Sequence, residues 1–360
     1  MEALLFSAKQ YIDPLDKATV EAEAPSNIAL VKYWGKKDNQ IPANPSVSFT
    51  LSNAKTRTRI DFEKRPNTHS FSFEVFFEGK LNQAFKPKIA QFFERIEKYL
   101  PLLKQYHLEI FTENTFPHSS GIASSASGMA ALSLCLCEFE RRLTQTDPDA
   151  DFRKKVSFLA RLGSGSACRS LQGPVVFWGE NQADENASDL FGTLPSFRMH
   201  PIFQDFQDTI LLIDKGKKQV SSSVGHGLMH GHPFAAQRFQ QAHQHLQQIK
   251  EAFMTGSIED FIRIVESEAL SLHAMMMTSE PYFILMKPET LKVIEKIWFF
   301  RSQTDIPVCF TLDAGANVHV LYPKHVAEKV REFIQKSLLV HCENHQFIDD
   351  FVGQGAKIIS

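Results

Sequence analysis

The stretch "PHSSGIASSAS", residues 117–127, sets small hydroxyl residues and a glycine between an apolar strand-like run, "YHLEIF", and an apolar helix-like run, "GMAALSLCLCEF". A helix beginning there exposes main-chain N–H groups and the positive end of its dipole, and small side chains let an anion approach that backbone closely. The stretch reads as a phosphate loop; the plain alternative is a serine-capped helix with nothing bound. Neither Walker-A spacing nor a complete G-x-G-x-x-G occurs in the chain, so a nucleotide needs another kind of loop. "GSGSACRS" comes nearest, with Cys168 where the third glycine should stand.

That second loop, residues 163–170, also carries Arg169, whose planar fork suits phosphate or carboxylate. A flexible loop with a surface arginine is its alternative reading. A third stretch, "SNIALVKYWGKK", sets Lys32, Tyr33, Lys36 and Lys37 against the buried-looking run "IALV", where the alternative is a solvated strand end. Three loops that can each take an anion point together to polyphosphate chemistry. The net charge of −2, without a block of like charges, argues against nucleic acid or an anionic membrane as partner. No apolar run approaches the roughly 18 residues of a membrane span. Five scattered cysteines suggest a reducing compartment, so a cytoplasmic protein is expected. "GHGLMHGHP" spaces His226, His230 and His232 without an acidic or cysteine ligand, and its glycines interrupt a helix, so no metal is expected there.

Alternation in "TRTRIDF" and "SFSFEVFFEG", with a Pro-Asn break between, predicts a half-exposed hairpin over residues 56–78, and "YHLEIFTEN" a further strand. "SGMAALSLCLCEFERRL" predicts a buried helix with a solvated C-terminus, and "DPDADFRKKVSFLARLG" a second helix. The pattern turns polar over residues 181–201. A second half then opens with the strand "DTILLID", followed by helices at 233–253, 258–275 and 289–301, paired strands in "VCFTLDAG" and "NVHVLY", and a closing helix in "KHVAEKVREFIQKSL". The reading is α+β in two lobes, residues 1–195 and 196–360.

These motifs resemble the GHMP kinase superfamily and, within it, the diphosphomevalonate decarboxylase family. "PHSSGIASSAS" is similar to the superfamily's phosphate loop, P-x-x-x-G-[LI]-x-S-S-A; "APSNIALVKYWGK", "ARLGSGSACRSLQG" and "FTLDAGANVHVL" are similar to decarboxylase signatures. The resemblance runs in order over roughly residues 22 to 325. It implies a two-lobed GHMP kinase-like fold, with a ribosomal-protein-like β-α N-terminal lobe, an α/β sandwich C-terminal lobe and the active-site cleft between them. It also implies a homodimer.

The activity implied is ATP-dependent decarboxylation of mevalonate 5-diphosphate to isopentenyl diphosphate, through phosphorylation of the 3-hydroxyl and then loss of phosphate and carbon dioxide. ATP and magnesium are the implied cofactors. Kinases of this superfamily carry a glycine-rich loop where this chain has "LDAGANVH" and Asp313. By resemblance Asp313, Lys32 and Arg169 are catalytic, and Asn27 supports Lys32 or the substrate. Tyr33, Trp34, Gly35, Lys36, Ser164, Gly165, Ser166, Ala167, Cys168 and Ser223 line the substrate site. Ser119, Ser120, Gly121, Ile122, Ala123, Ser124 and Ser125 cradle ATP, with Ser125 on magnesium. His226 replaces a methionine often seen in the family. Two other readings stay open: a kinase or decarboxylase acting on mevalonate or its monophosphate, and a catalytically silent metabolite-binding relative. The silent relative is expected to lose Asp313 or Lys32.

Overall fold

The first fifteen-residue strand, β1 (Lys17–Val31), alternates between buried and half-exposed at its start and is buried on both faces from Ala24 onward. A strand of that kind begins on a solvated sheet and ends between packed layers. The computed structural model describes residues 6–12, 14–66, 69–117, 122–147, 150–216 and 222–360. β1 pairs antiparallel with β2 (Ser46–Lys64), from Lys17↔Glu63 to Val31↔Val47, with the register shifting between Pro25 and Asn27 and again between Ala29 and Val31. Pro25 has no N–H to give the ladder, and the first shift falls beside it.

The remaining strands are β3 (Ser72–Phe77), β4 (Lys80–Leu81), β5 (Tyr106–Asn114), β6 (Val175–Trp178), β7 (Gln207–Leu211), β8 (Cys309–Leu312), β9 (Val318–Tyr322), β10 (Phe347–Phe351) and β11 (Lys357–Ile358). They build a seven-stranded sheet in the order β11-β1-β2-β5-β3-β4, with β6 also on β2, and a four-stranded sheet in the order β10-β7-β9-β8. The hairpin expected over residues 56–78 does not form. β5 lies between β2 and β3, antiparallel to the first and parallel to the second. Tight hairpins need a connection of about two to five residues, and β2 ends at Lys64 while β3 begins only at Ser72. β5 also supplies apolar cross-strand partners to both neighbours: Leu108 opposes Phe62 and Phe73, and Ile110 opposes Ile60 and Val75.

Three helices cover one face of this sheet: α1 (Lys86–Ile96), α2 (Ser124–Thr144) and α3 (Ala150–Gly163). α2 is buried almost all round, as its unbroken apolar run requires, and its charge gathers at the C-terminal end in Arg141 and Arg142. After the short α4 (Ser222–Gly227) come α5 (Ala235–Thr255), α6 (Ile258–Met277), α7 (Pro288–Thr304) and α8 (Ala327–Phe333). α5, α6, α7 and the strands β7, β8 and β9 fall where the apolar periodicity predicts them; α4, β10 and β11 are additions, and the expected closing helix is α-helical only over Ala327–Phe333 and does not end the fold. Among the described residues no helix is long and apolar enough to cross a membrane.

The buried end of β1 and the start of β2 share a core with the second sheet: Ile28, Leu30, Val47 and Phe49 pack with Ile210, Ile264, Cys309 and Leu321. Five phenylalanines fill this core, Phe49, Phe203, Phe206, Phe253 and Phe261, which meet at ring-centroid distances of 5.1–6.1 Å. A second tie joins the sheets through polar groups. β6 pairs with β2 only over Ser46–Phe49 and β5 only from Thr56, so Ser52, Asn53 and Ala54 lie outside both ladders and their N–H groups need other partners. Asp350 of β10 takes them. Its carboxylate accepts from Ser52, Asn53 and Ala54 of β2 at 2.6–2.9 Å and from Phe351 at 2.8 Å. Asp350→Ala orphans these donors in a buried place and is expected to cost about 3 kcal/mol of unfolding free energy. Urea titration reads it, and a loss below about 1 kcal/mol would contradict this role.

Candidate active site

Lys32 follows the last β1–β2 ladder pair, Val31↔Val47. Its aliphatic stem continues the buried strand end, and only 2% of the side chain reaches solvent. Asp313 follows β8 and opens the turn into β9, whose first pair is Leu312↔Val318. That turn is braced by Gly315 N–H on the Asp313 carbonyl at 2.7 Å, and by Thr290, whose hydroxyl donates to Ala316 O at 2.8 Å. The two sheets thus deliver their strand ends to one point, where Lys32 Nζ donates to Asp313 Oδ1 at 3.1 Å. Burial lowers the Lys32 pKa and the Asp313 carboxylate opposes the shift; the net direction is down. The Asp313 side chain is 25% exposed, so its carboxylate faces the open side of the pair.

Arg169 reaches the same point from the 3₁₀ segment Gly165–Ser170, between α3 and β6. Its guanidinium donates to Ser46 Oγ and, through Nε, to Asn27 Oδ1 at 3.3 Å, and lies over the Trp178 ring. Burial lowers its pKa, opposed by the negative charge of nearby groups that include Asp313. Asn27 holds the arginine loop rather than Lys32: its amide donates to Ser170 Oγ at 2.8 Å and to Ser166 O at 3.2 Å. Tyr33 lies against Trp178 at 4.6 Å and over Gly165, where an added Cβ would stand 2.9 Å from the Tyr33 hydroxyl. Glycine is the residue that lets ring and loop meet.

Other expected residues fall into two groups. The side chains of Trp34, Ala167 and Cys168 face the core, Trp34 among Met229, Leu272, Met276 and Leu285. The Cys168 thiol donates to Gly165 O and burial pushes its pKa up to about 12, which makes it a filler of the loop. Gly35, with φ of 97°, gives its N–H to His226 Nδ1 at 3.0 Å, and Lys36 donates to Gln40. Ser164 caps the 3₁₀ segment, its carbonyl accepting from Ala167 N–H. Ser119, Ser120 and Gly121 lie outside the described residues, as does the side chain of Ser223. Ile122 is buried, its carbonyl accepting from Ser26. Ala123 turns into α2 with φ of 44°, and no side chain caps the helix that Ser124 and Ser125 begin.

Lys88 of α1 is missed by sequence reasoning, and its Nζ donates to Ser125 Oγ at 2.9 Å. An ammonium therefore stands where a magnesium ligand is expected. Nothing in "FKPKIAQFF" announces the contact, because it joins two elements distant in sequence. Ser46 is missed for the same reason. Arg169 is electrostatically coupled to Asp313, and Lys36 to Lys88 at the α2 end, so cations stand at both places. Such a field suits a polyanion.

A model of the diphosphomevalonate decarboxylase-like N-terminal domain matches residues 24–189, and one of the mevalonate 5-diphosphate decarboxylase C-terminal domain matches residues 209–357. The chain is 30% identical over 323 residues to the diphosphomevalonate decarboxylase of Gibberella zeae, covering 85% of this chain and 81% of that one. This chain belongs to the diphosphomevalonate decarboxylase family. Among solved structures, the mevalonate diphosphate decarboxylase of Enterococcus faecalis superposes with a TM-score of 0.79 at 27% identity, over 95% of this chain and 99% of the other. MDDEF in complex with MVAPP, AMPPCP and magnesium superposes with a TM-score of 0.80 at 28% identity, over 95% and 99%. The N-terminal family match contains Lys32 and Arg169, and the C-terminal match contains Asp313.

His226 is buried against Tyr33 and Trp34 at ring-centroid distances of 4.2 and 4.7 Å. Burial lowers its pKa from 6.5 to about 3, with Lys36 and Arg169 adding to the effect. The imidazole is neutral at pH 7 and its Nδ1 accepts. Because the unfolded chain takes up a proton at this position below pH 6.5 while the folded chain takes it up only near pH 3, stability is lost as pH falls through that window. His226→Met is expected to lose about 2 kcal/mol less stability than the native chain between pH 7 and pH 5. Urea titrations at the two pH values test this; equal losses would contradict it.

Proposed function

We propose that this chain catalyses the ATP-dependent decarboxylation of mevalonate 5-diphosphate to isopentenyl diphosphate, with release of ADP, phosphate and carbon dioxide. Family membership supports the reaction. The observation that carries it to particular residues is the Asp313 carboxylate, half-open to the cleft, bonded to buried Lys32 at 3.1 Å and electrostatically coupled to Arg169.

A tertiary alcohol is a poor leaving group, and phosphorylating its oxygen makes departure feasible. Asp313 orients the 3-hydroxyl and takes its proton as the oxygen bonds to the transferred phosphoryl group; alignment matters more than basicity in such a transfer. Lys32 keeps Asp313 ionised and offsets negative charge gathering beside it. Arg169, held by Ser46 and Asn27, directs its fork at the substrate's carboxylate or diphosphate. When the carbon–oxygen bond breaks, phosphate leaves with its electron pair. The electrons of the bond to the carboxylate form the new double bond, and carbon dioxide departs. Tyr33, Lys36 and the loop from Ser164 to Ser166 make the diphosphate grip in this reading.

The residues fit a nucleotide. The first turn of α2 has no side-chain cap, Lys88 stands at Ser125, and a cavity of about 110 Å³ opens beside them between Phe77, Phe85, Ile89, Ile110 and Met129. Backbone N–H groups at Ser124 and Ser125, with Lys88, would hold phosphate oxygens, and the apolar cavity a base. Magnesium bound to those phosphates neutralises charge on the group being transferred, and Ser125 retains a lone pair with which to assist in holding it.

One assay tests the reading: purified protein with ATP, magnesium and mevalonate 5-diphosphate, following ADP and carbon dioxide together. Equal release is expected. ADP without carbon dioxide would make the chain a kinase, and neither product would make it a silent relative. Asp313→Ala is expected to lower kcat by about a thousandfold while ATP affinity stays within roughly threefold. Native rates in that variant would remove Asp313 from the mechanism.

A further inference from the structure

Side-chain contacts alone do not hold the Lys32–Asp313 pair; its two main chains are gripped by one helix. Lys32 lies past the β1–β2 ladder, so its N–H and C=O have no strand partner. The N–H donates to Glu268 Oε2 of α6 at 2.7 Å, while the carbonyl accepts from Asn44 at 2.9 Å and from Arg238 of α5 at 3.4 Å. Five residues along α6, His273 donates from Nε2 to the Asp313 carbonyl at 3.1 Å. Glu268 and His273 are buried, with relative exposures of 0% and 1%.

Each grip is itself braced. Glu268 receives both Nη groups of Arg238 and Nδ1 of His245, at 2.6 Å for the histidine. Burial alone would raise the Glu268 pKa, but Arg238, His245 and the Lys32 N–H hold it below the ordinary carboxylate value. The charge is fixed and its oxygens are committed. Burial lowers the His273 pKa to about 4, so the ring is neutral at pH 7 and keeps its Nε2 proton for the carbonyl.

We infer that α6 sets the register between the two sheets' reactive ends: Glu268 and His273 are positioning residues that fix the main chains of Lys32 and Asp313 and so the direction in which the Asp313 carboxylate faces. This rests on the Asp313 role given under the proposed function. Displacements of about 1 Å in such a constellation can cost a hundredfold in rate. His273 gives the cleaner handle, because removing Glu268 leaves Arg238 buried without its counter-charge.

His273→Phe keeps the ring and removes the donor, with His273→Leu as a second apolar variant; His273→Gln returns an N–H near the Nε2 position. Each is assayed for ADP and carbon dioxide beside the native enzyme, with kcat corrected for the folded fraction. The inference expects the apolar variants to lose about tenfold or more in kcat with KM for both substrates within about twofold, and the glutamine variant to recover to within roughly threefold of native. Glu268→Gln, which keeps an oxygen for the Lys32 N–H, is expected to lose stability yet hold kcat within roughly threefold. Equal losses in the apolar and glutamine variants, a loss confined to KM, a loss that vanishes on correction for folding, or a kcat collapse in Glu268→Gln would each overturn it. A native enzyme without carbon dioxide release would instead remove the functional reading, and this inference with it.

Discussion

The cleft depends on one ion pair, Lys32 with Asp313, formed where two sheets already joined by an apolar core and by Asp350 bring their strand ends together. Lys32 is carried into a nearly dry place by a strand whose neighbours are apolar on both faces. An ammonium there loses its hydration, which is costly unless a counter-charge replaces the water. Asp313 is that counter-charge, supplied from the other sheet, and it stays partly solvated. The asymmetry has a chemical use: the buried member steadies charge, and the other keeps part of its carboxylate exposed. A well-packed apolar pair would hold the sheets together as firmly but would offer a hydroxyl nothing to bond with.

The wider charge pattern follows from the same arrangement. Glu268, the most deeply buried carboxylate near the pair, is taken up by Arg238 and His245, so it leaves the cleft positive. His226 is held neutral by burial between Tyr33 and Trp34 and adds neither charge nor repulsion. Arg169 beside the Asp313 turn, and Lys36 with Lys88 toward the first turn of α2, remain as cations for an anion to meet. Spread cations suit a doubly phosphorylated reaction, in which one polyanion hands a group to another. Arg169 in particular is preorganised: Asn27 takes its Nε, Ser46 its Nη1 and the Trp178 face lies beneath its plane before any ligand arrives.

What the sequence made legible was local. Apolar periodicity marked α2, α3, α5, α6, α7 and the β8–β9 pair but not α1, and three motifs marked the ends that converge on the site. Long-range contacts were not legible. The alternation over residues 56–78 was a sound sign of two strands, but alternation says nothing about which strand lies next door, and β5 arrives from over forty residues onward to separate them. Lys88, Ser46 and His273 escaped because each acts across a large gap in sequence; His273 lies in the weakly similar stretch "ESEALSLHAMMMTSEPYF", which gave no sign of its partner. The motif residues themselves divide by side-chain direction: Lys32 and Tyr33 face the cleft region, while Trp34 and Cys168 turn into the core. A linear signature cannot separate gripping residues from those that shape the loop behind them.

The central claim is that Lys32 is a buried cation whose charge Asp313 sustains. Nitrogen-detected NMR of the Lys32 ammonium, titrated in the native chain and in Asp313→Asn, measures this directly. The account predicts a pKa below the ordinary 10.5 in the native chain and a further fall when the carboxylate is removed. A Lys32 that titrates at its ordinary value, or is unmoved by loss of the Asp313 charge, would contradict it.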